Sequence, residues 1–292
     1  MNLLKRSGRL FLPRGIRNWL RSPSRTARWM WNELQFGIGI TKTIEMRPEW
    51  RVVCHPSALD FAYFAQQKDA EQVAEFDGFL RSCRPGMTLF DLGAHFGLFS
   101  LAALHYGGAD SRAVAVDPSP TACRITSIQA QLNRVADRLR IVRACASDCT
   151  GWREMVDSGV QSGSYFVSPG RDHTSGELTR TRSTTIDALV AQFKFQPTHI
   201  KIDVEGYEEA VLRGGSRTLG RADGPLLFVE LHNEMVSNRG GNPSDALGLL
   251  RQLGYETLSP ACVPMDHSSI LATPLIRVIA RKRAIENSSR VA

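Results

Sequence analysis

The chain has 292 residues, of which 42% are apolar and 22% carry a charge. That length suits one large α/β domain with an N-terminal extension, or at most two domains, and the apolar fraction supplies ample material for a core. No apolar run approaches the roughly eighteen residues that a membrane-spanning helix needs, so the sequence predicts no transmembrane segment.

The net charge of +7 is unevenly distributed along the chain. Residues 1–28 contain eight basic residues and no acidic one, so 28 basic residues remain for the rest of the chain against 29 acidic ones. The body is therefore nearly neutral, which argues against a nucleic-acid footprint spread over it. The basic residues of the extension are Lys5, Arg6, Arg9, Arg14, Arg17, Arg21, Arg25 and Arg28.

The basic N-terminal tail, residues 1–30, permits three interpretations. It can be a solvated tail, an interfacial segment in weak contact with a membrane surface, or a targeting peptide of the basic, acid-poor kind. Pro13 and Pro23 argue against one long helix, and no clean apolar stretch supports a secretory signal. The apolar residues among the cations are Leu3, Leu4, Leu10, Phe11, Trp19 and Leu20.

Residues 31–85 predict a cap or lead-in to the main domain, with a helical stretch near residues 61–80 and with Trp31 and Trp50. The six cysteines of the chain form no Cys-x-x-Cys pair, and no histidine cluster completes a zinc pattern. We therefore expect reduced thiols in a cytoplasmic protein and assign no metal ligands.

From residue 86 onward, short β-rich runs alternate with helical stretches, which is typical of a doubly wound parallel sheet. We predict a single α/β domain over residues 86–283 and a C-terminal tail over 284–292. Residues 158–183 are rich in Ser, Gly, Thr and charge without clear periodicity, which predicts a long functional loop. The predicted strands cover residues 88–92, 113–116, 139–144, 199–204, 225–231, 255–258 and 275–280. The predicted helices cover residues 96–106 and 244–253, and three more begin at Ser119 with Pro120, at Thr184 or Thr185, and at Gly206.

The first strand runs into a glycine-containing turn, residues 90–97, before the next helix. Glycines let the backbone approach a ligand, and in open α/β sheets ligands bind outside the carboxyl ends of the strands. The turn lacks the Gly-x-Gly-x-x-Gly spacing of a dinucleotide site, and the carboxylate before its first glycine would repel a pyrophosphate but can meet an ammonium group. The candidate residues for the amino-acid part of a methyl donor are Asp91, Gly93, Ala94, His95 and Gly97.

Two further acidic positions follow successive strands. Asp117 ends the second strand, where a carboxylate can accept hydrogen bonds from ribose hydroxyls, although it can also be an ordinary helix-entry residue. Ser147 and Asp148 follow the third strand, where they can bind the adenine amine or form a plain turn. Together with the first turn they predict a site for S-adenosylmethionine.

The fourth and fifth strands end in charged residues, with Asp203 and Glu205 on the one and Glu230 and His232 on the other. Residues two apart share a face of a strand, so neighbouring strands would crowd all four side chains at the carboxyl edge of the sheet. Methyl transfer to a hydroxyl needs removal of its proton, for which His232 is the first candidate base and Glu205 the second. Asp203 would face the donor or orient the acceptor.

Two alternatives for this cluster stay open. Asp203, Glu205 and Glu230 can hold a hard cation such as Mg²⁺, which would lower the pKa of a bound hydroxyl. Glu205 can also be an acidic residue that merely opens a helix, where the helix dipole favours it.

At this point the sequence resembles the FkbM-type family of S-adenosylmethionine-dependent methyltransferases over roughly residues 86–260. The most specific matching segment is 201–206; the others are 88–97, 115–118, 146–148, 184–189, 199–200, 211–215 and 228–232. The resemblance implies a Rossmann-like, seven-stranded, mostly parallel doubly wound sheet with an antiparallel closing strand, preceded here by an N-terminal helical extension. The chain departs from the family pattern at His95, where the family commonly has Asn, and at Asp117, where it commonly has Glu.

The resemblance implies an O-methyltransferase acting on a hydroxyl of a sugar, glycolipid or secondary metabolite, with a small-molecule or saccharide acceptor. The nearly neutral body argues against a nucleic-acid partner. One rival is a non-catalytic relative that keeps the fold as a binding module. The other is a nucleic-acid methyltransferase, which only the basic tail suggests and which lacks an Asn/Asp-Pro-Pro-aromatic signature. The oligomeric state stays open.

Overall fold

The computed structural model describes residues 23–58, 61, 65, 69–157, 165–166 and 177–283. The helices in these ranges are α1 Pro23–Gly37, α2 Ala70–Ser82, α3 Leu98–Tyr106, α4 Pro120–Leu132, α5 Ile186–Phe193, α6 Glu208–Arg213, α7 Ser216–Leu219, α8 Asn233–Asn238, α9 Ser244–Gln252 and α10 His267–Ala272. The strands are β1 Lys42–Arg47, β2 Trp50–Cys54, β3 Thr88–Leu92, β4 Arg112–Asp117, β5 Leu139–Arg143, β6 Cys145–Ala146, β7 Gly151–Asp157, β8 Tyr165–Phe166, β9 Glu177–Thr184, β10 His199–Ile202, β11 Leu226–Leu231, β12 Tyr255–Leu258 and β13 Ile276–Lys282.

The main sheet has seven strands in the order β12-β13-β11-β10-β3-β4-β5. Strands β11, β10, β3, β4 and β5 pair in parallel, and β13 runs antiparallel to both of its neighbours. The predicted α/β class, the mostly parallel sheet and the antiparallel closing strand are confirmed. The strand order reverses between β3 and β10, and ligands bind at such a point outside the carboxyl edge of open α/β sheets.

Helices cover both faces of this sheet. One core joins α2, α3 and α4 to alternate residues of the strands, among them Leu89 and Phe228. The other core joins α5, α6, α7, α9 and α10 to the residues in between, among them Phe90 and Val229. Strands buried on both faces read as continuous apolar runs, which is why the sequence predicts them well.

Two helix starts lie at the predicted caps. The Ser119 hydroxyl accepts a hydrogen bond from the backbone N–H of Ala122, with Pro120 in the first helical turn. Thr185, one of the two residues considered, accepts a bond from the backbone N–H of Ala188 and begins α5. Both side chains satisfy a backbone donor that the helix itself leaves unpaired.

A second, four-stranded sheet has the order β6-β9-β7-β8, and it corrects the prediction for residues 158–183. Residues 177–184 are a strand that pairs antiparallel with β7, so the expectation of a loop there is wrong. Thr181 and Ser183 are buried whereas Arg180 and Arg182 are exposed, a period of two built from polar residues that an apolar pattern misses. The remainder of that predicted loop, residues 158–164 and 167–176, lies outside the described residues.

The segment before the main sheet contributes α1, the β1–β2 hairpin and α2. Helix α2 packs on the sheet, where the ring of Phe79 lies 5.3 Å from that of Phe228. Helix α1 crosses residue 30, the predicted end of the basic tail, and residues 1–22 and 284–292 lie outside the described residues. In the described part of the chain, no helix combines the length and the apolar character needed to cross a bilayer.

Candidate active site

The turn after β3, residues 93–97, is fixed by backbone hydrogen bonds to the end of β4. The N–H groups of Gly93 and Ala94 both donate to the carbonyl of Val116, at 2.9 and 3.1 Å. Gly93 and Gly97 have φ angles of +82° and +79°, which side chains rarely tolerate. A Cβ on Gly93 would lie 1.8 Å from the carbonyl oxygen of Asp203, so only glycine lets this turn touch the loop after β10.

Asp91 lies at the base of the turn and is 2% exposed. One of its carboxylate oxygens accepts hydrogen bonds from the hydroxyl of Ser100 at 2.7 Å and from the Ser100 backbone N–H at 3.1 Å. Burial raises the pKa of Asp91 to about 6, against the lowering effect of these bonds and of Lys201. A cationic partner would favour the ionised form.

Asp117 faces the same turn from the end of β4. Its two carboxylate oxygens accept bonds from the backbone N–H groups of His95 at 2.9 Å and Ser119 at 2.8 Å. Burial raises the pKa of Asp117 to about 6, although both of these bonds lower it. The carboxylate thus shapes the turn, and since each oxygen has two lone pairs it can accept further bonds from a ligand.

The third predicted element, Ser147 and Asp148, follows β6. The Ser147 hydroxyl donates to the Asp148 carboxylate at 3.1 Å, and Arg153 lies 3.2 Å from the same oxygen. Burial opposes ionisation, but hydrogen bonds from Cys149 and Ser147 outweigh it and lower the pKa of Asp148. Ser147 is buried, and its carbonyl would lie 2.1 Å from a Cβ on Gly214, so this turn packs closely against α6.

These three elements fit S-adenosylmethionine. The buried carboxylate of Asp91 at the base of the turn suits the ammonium of an amino-acid head group. Asp117 can accept from the ribose and Asp148 from the adenine amine. His95, with φ +46°, contributes its backbone N–H to the turn, and its ring stacks on Phe96 with the centroids 3.7 Å apart.

Asp203 and Glu205 lie in the loop after β10 and not on the strand itself. The strand was predicted to reach residue 204, which is wrong, because it ends at Ile202 and the next helix begins at Glu208. Glu205 has a φ of +54° in the left-handed region, so the two carboxylates do not share a strand face by alternation. The loop nevertheless brings both beside His232, which was the outcome that the sequence predicted.

His232 follows β11 and is 7% exposed. Its Nδ1 lies 2.8 Å from the Oε1 of Glu208, and its Nε2 lies 3.8 Å from Asp203 and 3.6 Å from Glu205. Glu208 is 1% exposed, and the same oxygen accepts the backbone N–H of Gly206 at 2.8 Å. One imidazole nitrogen is therefore held by a buried carboxylate, and the other is directed toward two more.

The carboxylates determine how this imidazole titrates. Burial opposes its protonation, but the hydrogen bond and charge of Glu208, with the charges of Asp203 and Glu205, raise the pKa of His232 to about 9. The imidazole is hence mostly protonated at neutral pH. Burial and the neighbouring charge of Glu230 raise the pKa of Asp203, and burial also raises that of Glu205.

Glu230 hydrogen-bonds with Asp203 of the cluster and joins it to a buried network of ion pairs. It lies 2.6 Å from Arg277 and 3.6 Å from Lys201. Glu75 of α2 completes the network, at 2.8 Å from Lys201 and 3.4 Å from Arg277. Although burial opposes ionisation of Glu230, the charges of Lys201 and Arg277 lower its pKa.

The structure offers a different set of ligands for a cation from the one considered in the sequence. Within the described residues, Asp203, Glu205 and His232 offer ligand atoms that all lie within 4.8 Å of one another. Glu230, the third ligand considered from the sequence, already pairs with Arg277 and Lys201. A cation here would thus have one imidazole and two carboxylates as ligands.

The sequence reasoning missed Glu75, Lys201, Glu208 and Arg277. Lysine and arginine inside apolar strands are a readable signal, because a buried charge is costly unless it is paired. Glu208 lies just after Gly206, where a helix was predicted to begin, but an acidic residue in the first turn of a helix is ordinary. Glu75 carries no signal of its own within its helix.

Two curated relatives are both named ribosomal protein L11 methyltransferase. The chain is 40% identical to the protein of Pelotomaculum thermopropionicum over 60 residues, which are 20% of this chain and 19% of that protein. It is 25% identical to the protein of Actinobacillus succinogenes over 193 residues, 59% of this chain and 63% of that protein. The chain thus spans less than two thirds of either relative. The solved ribosomal protein L11 methylase of Lactobacillus delbrueckii subsp. bulgaricus aligns with a TM-score of 0.46 at 12% identity, over 83% of this chain and 99% of that one.

The model of the methyltransferase FkbM domain matches residues 91–257, more than half of the chain. The match contains the turn of residues 93–97, which we call the donor turn, together with Asp117, the loop with Asp203 and Glu205, and His232. The resemblance seen in the sequence is confirmed, and with it a methyltransferase domain that uses S-adenosylmethionine. The chain belongs to the FkbM-domain family of methyltransferases.

Proposed function

We propose that this protein is an O-methyltransferase that acts on a hydroxyl of a sugar, glycolipid or secondary metabolite. The observation that carries the proposal is the position of His232, whose Nε2 is directed toward Asp203 and Glu205 while Nδ1 is held by Glu208. The loop of Asp203 touches the donor turn at Gly93, so the polar cluster adjoins the donor site. An imidazole and two carboxylates beside a methyl donor suit an acceptor with several hydroxyls.

The residues have distinct roles in the proposed reaction. S-adenosylmethionine, when bound by the donor turn and Asp117, supplies a methyl group on a positively charged sulfur. Neutral His232 accepts the acceptor's hydroxyl proton at Nε2, and the buried Glu208 carboxylate stabilises the imidazolium that results. Asp203 and Glu205 accept hydrogen bonds from neighbouring hydroxyls and so orient the acceptor, because positioning supplies much of the rate.

The high pKa of His232 has a kinetic consequence. A base with a pKa near 9 holds the abstracted proton firmly, but only a minor fraction of it is neutral at pH 7. The rate should therefore rise with pH toward that value. Glu205 is the second candidate base, since it lies 3.6 Å from His232 and its raised pKa makes it a stronger proton acceptor than an ordinary carboxylate.

A macromolecular acceptor is the second candidate function. It is favoured by the names of the two curated relatives, ribosomal protein L11 methyltransferase, which point to a protein acceptor. Against a nucleic acid stand the carboxylates of the cluster, which would repel phosphates. A binding module without catalysis would need the donor turn but would not need the proposed base His232.

Transfer of a tritiated methyl group from S-adenosylmethionine into fractionated cell extract tests the proposal. We expect label in small molecules or glycolipids, in a bond that survives mild alkali as an ether does. Label in protein or RNA would overturn the proposed acceptor class, and donor binding without any transfer would favour a binding module.

A further inference from the structure

Helix α1 is attached to the domain by one side only. On that side Asn32 is buried, the ring of Phe36 lies 4.5 Å from that of His55, and Glu33 pairs with Arg124 at 2.5 Å. These contacts fix the rotation of the helix about its axis. The same residues of the helix therefore always face away from the domain.

The opposite side is apolar and exposed. Met30, Trp31 and Leu34 are 57%, 58% and 55% exposed, and Ile38, just beyond the helix, is 68% exposed. Their spacing of three or four residues places them along one face. Of the eight large apolar side chains that are exposed in the described part of the chain, five lie between residues 30 and 40. A cluster of this kind marks an interaction surface.

Basic residues precede and flank this face of the helix. Glu33 turns away from it to pair with Arg124 and His55, and Arg28 is exposed beside it. Residues 1–28, which include the first turns of the helix, carry eight basic residues and no acidic one. Cations next to an apolar helix face complement a surface that is apolar below and anionic above, as a bilayer with acidic headgroups is.

We propose that the exposed face of α1, namely Met30, Trp31, Leu34 and Ile38, binds the surface of a membrane that contains anionic lipids. The apolar side chains enter the headgroup boundary, and the positive charge of residues 1–28 favours acidic headgroups. The helix lies on the bilayer without crossing it. The inference does not depend on the proposed methyl transfer, and it would bring the domain to lipid-linked acceptors.

Co-sedimentation with vesicles tests it on the full chain. We expect binding to vesicles of equal parts phosphatidylcholine and phosphatidylglycerol, weaker binding to phosphatidylcholine alone, and weakening by salt. Replacing Trp31→Ser together with Leu34→Ser should lower the affinity about tenfold or more, because two buried apolar side chains are lost. The matched control is Trp152→Ser, since Trp152 is equally exposed at 58% on another part of the surface.

Each outcome decides the question. Loss of binding in the double variant and not in Trp152→Ser supports the proposal, provided that circular dichroism shows both variants folded. Unchanged binding of the double variant would overturn it, because the basic residues alone would then suffice. No binding by the wild type would also overturn it, as would a wild-type dimer that the double variant converts to a monomer, since the face would then be an interface between copies of the chain.

Discussion

The Nδ1 atom of His232 lies 2.8 Å from a carboxylate oxygen of Glu208 that is itself fixed by the backbone N–H of Gly206. Because Glu208 is buried, its charge acts on the imidazole with little screening by water. This pair connects the first residue of α6 to the end of β11. It determines both the orientation and the basicity of the proposed base.

Replacing Glu208→Gln should move the pH–rate profile. In the wild type we expect the rate to rise with an inflection near 9, where His232 loses its proton. The amide keeps a hydrogen-bonding group but removes the charge, so the inflection should fall by about 1 to 3 pH units. Single-turnover rates across pH measure it, and an unmoved inflection would contradict the role given to Glu208.

Replacing His232→Asn should lower kcat by roughly 10²- to 10⁴-fold, because general-base catalysis is lost. Binding of S-adenosylmethionine should change little, since the donor turn is intact. His267→Asn serves as the control, because His267 is exposed and distant in sequence from the cluster. If the His232 variant keeps full activity across pH, Glu205 becomes the base.

Replacing Asp91→Ala should weaken binding of S-adenosylmethionine about tenfold or more, because a charge-assisted bond to the donor's ammonium is lost. In the wild type, affinity should fall as the pH drops through about 6, since Asp91 and Asp117 then take up protons. Titrations at several pH values measure both effects. The exposed Asp223→Ala is the control, and equal affinities of the two variants would argue against a donor role for Asp91.

Replacing Gly93→Ala should damage the donor turn more than Gly108→Ala damages its own. Gly93 has a φ of +82° and Gly108 a φ of +72°, so an alanine at either position is strained by a left-handed backbone, at a cost of about 1 to 2 kcal/mol. Only at Gly93 would the new Cβ also meet backbone, at 1.8 Å from the Asp203 carbonyl, whereas nothing lies within 4 Å at Gly108. Urea unfolding compares them, and equal losses of stability would refute this close approach.

The ion-pair network of Lys201, Glu75, Glu230 and Arg277 should be sensitive to loss of one member. Arg277→Met leaves two buried carboxylates with a single cation, which we expect to cost about 3 to 5 kcal/mol of the free energy of unfolding. Arg221→Met, in an exposed pair with Asp223, should leave the unfolding midpoint unchanged. A midpoint that shifts equally in both variants would show that burial does not strengthen the network.

The sheet was predictable because its strands are short apolar runs buried on both faces, and the caps at Ser119 and Thr185 follow from side-chain chemistry. Strand β9 was missed because its alternation is between threonine or serine and arginine, not between apolar and polar residues. At the site, Asp203, Glu205 and His232 were predicted to converge, and they do. Glu75 was out of reach, since only the folded chain brings α2 against β10 and β13.

Isothermal titration of the purified full chain with S-adenosylmethionine tests the central claim most directly, because every proposed role depends on the donor turn. We predict saturable binding of one donor per chain, weakened in Asp91→Ala and preserved in His232→Asn. The absence of detectable binding by the wild-type protein would contradict the account.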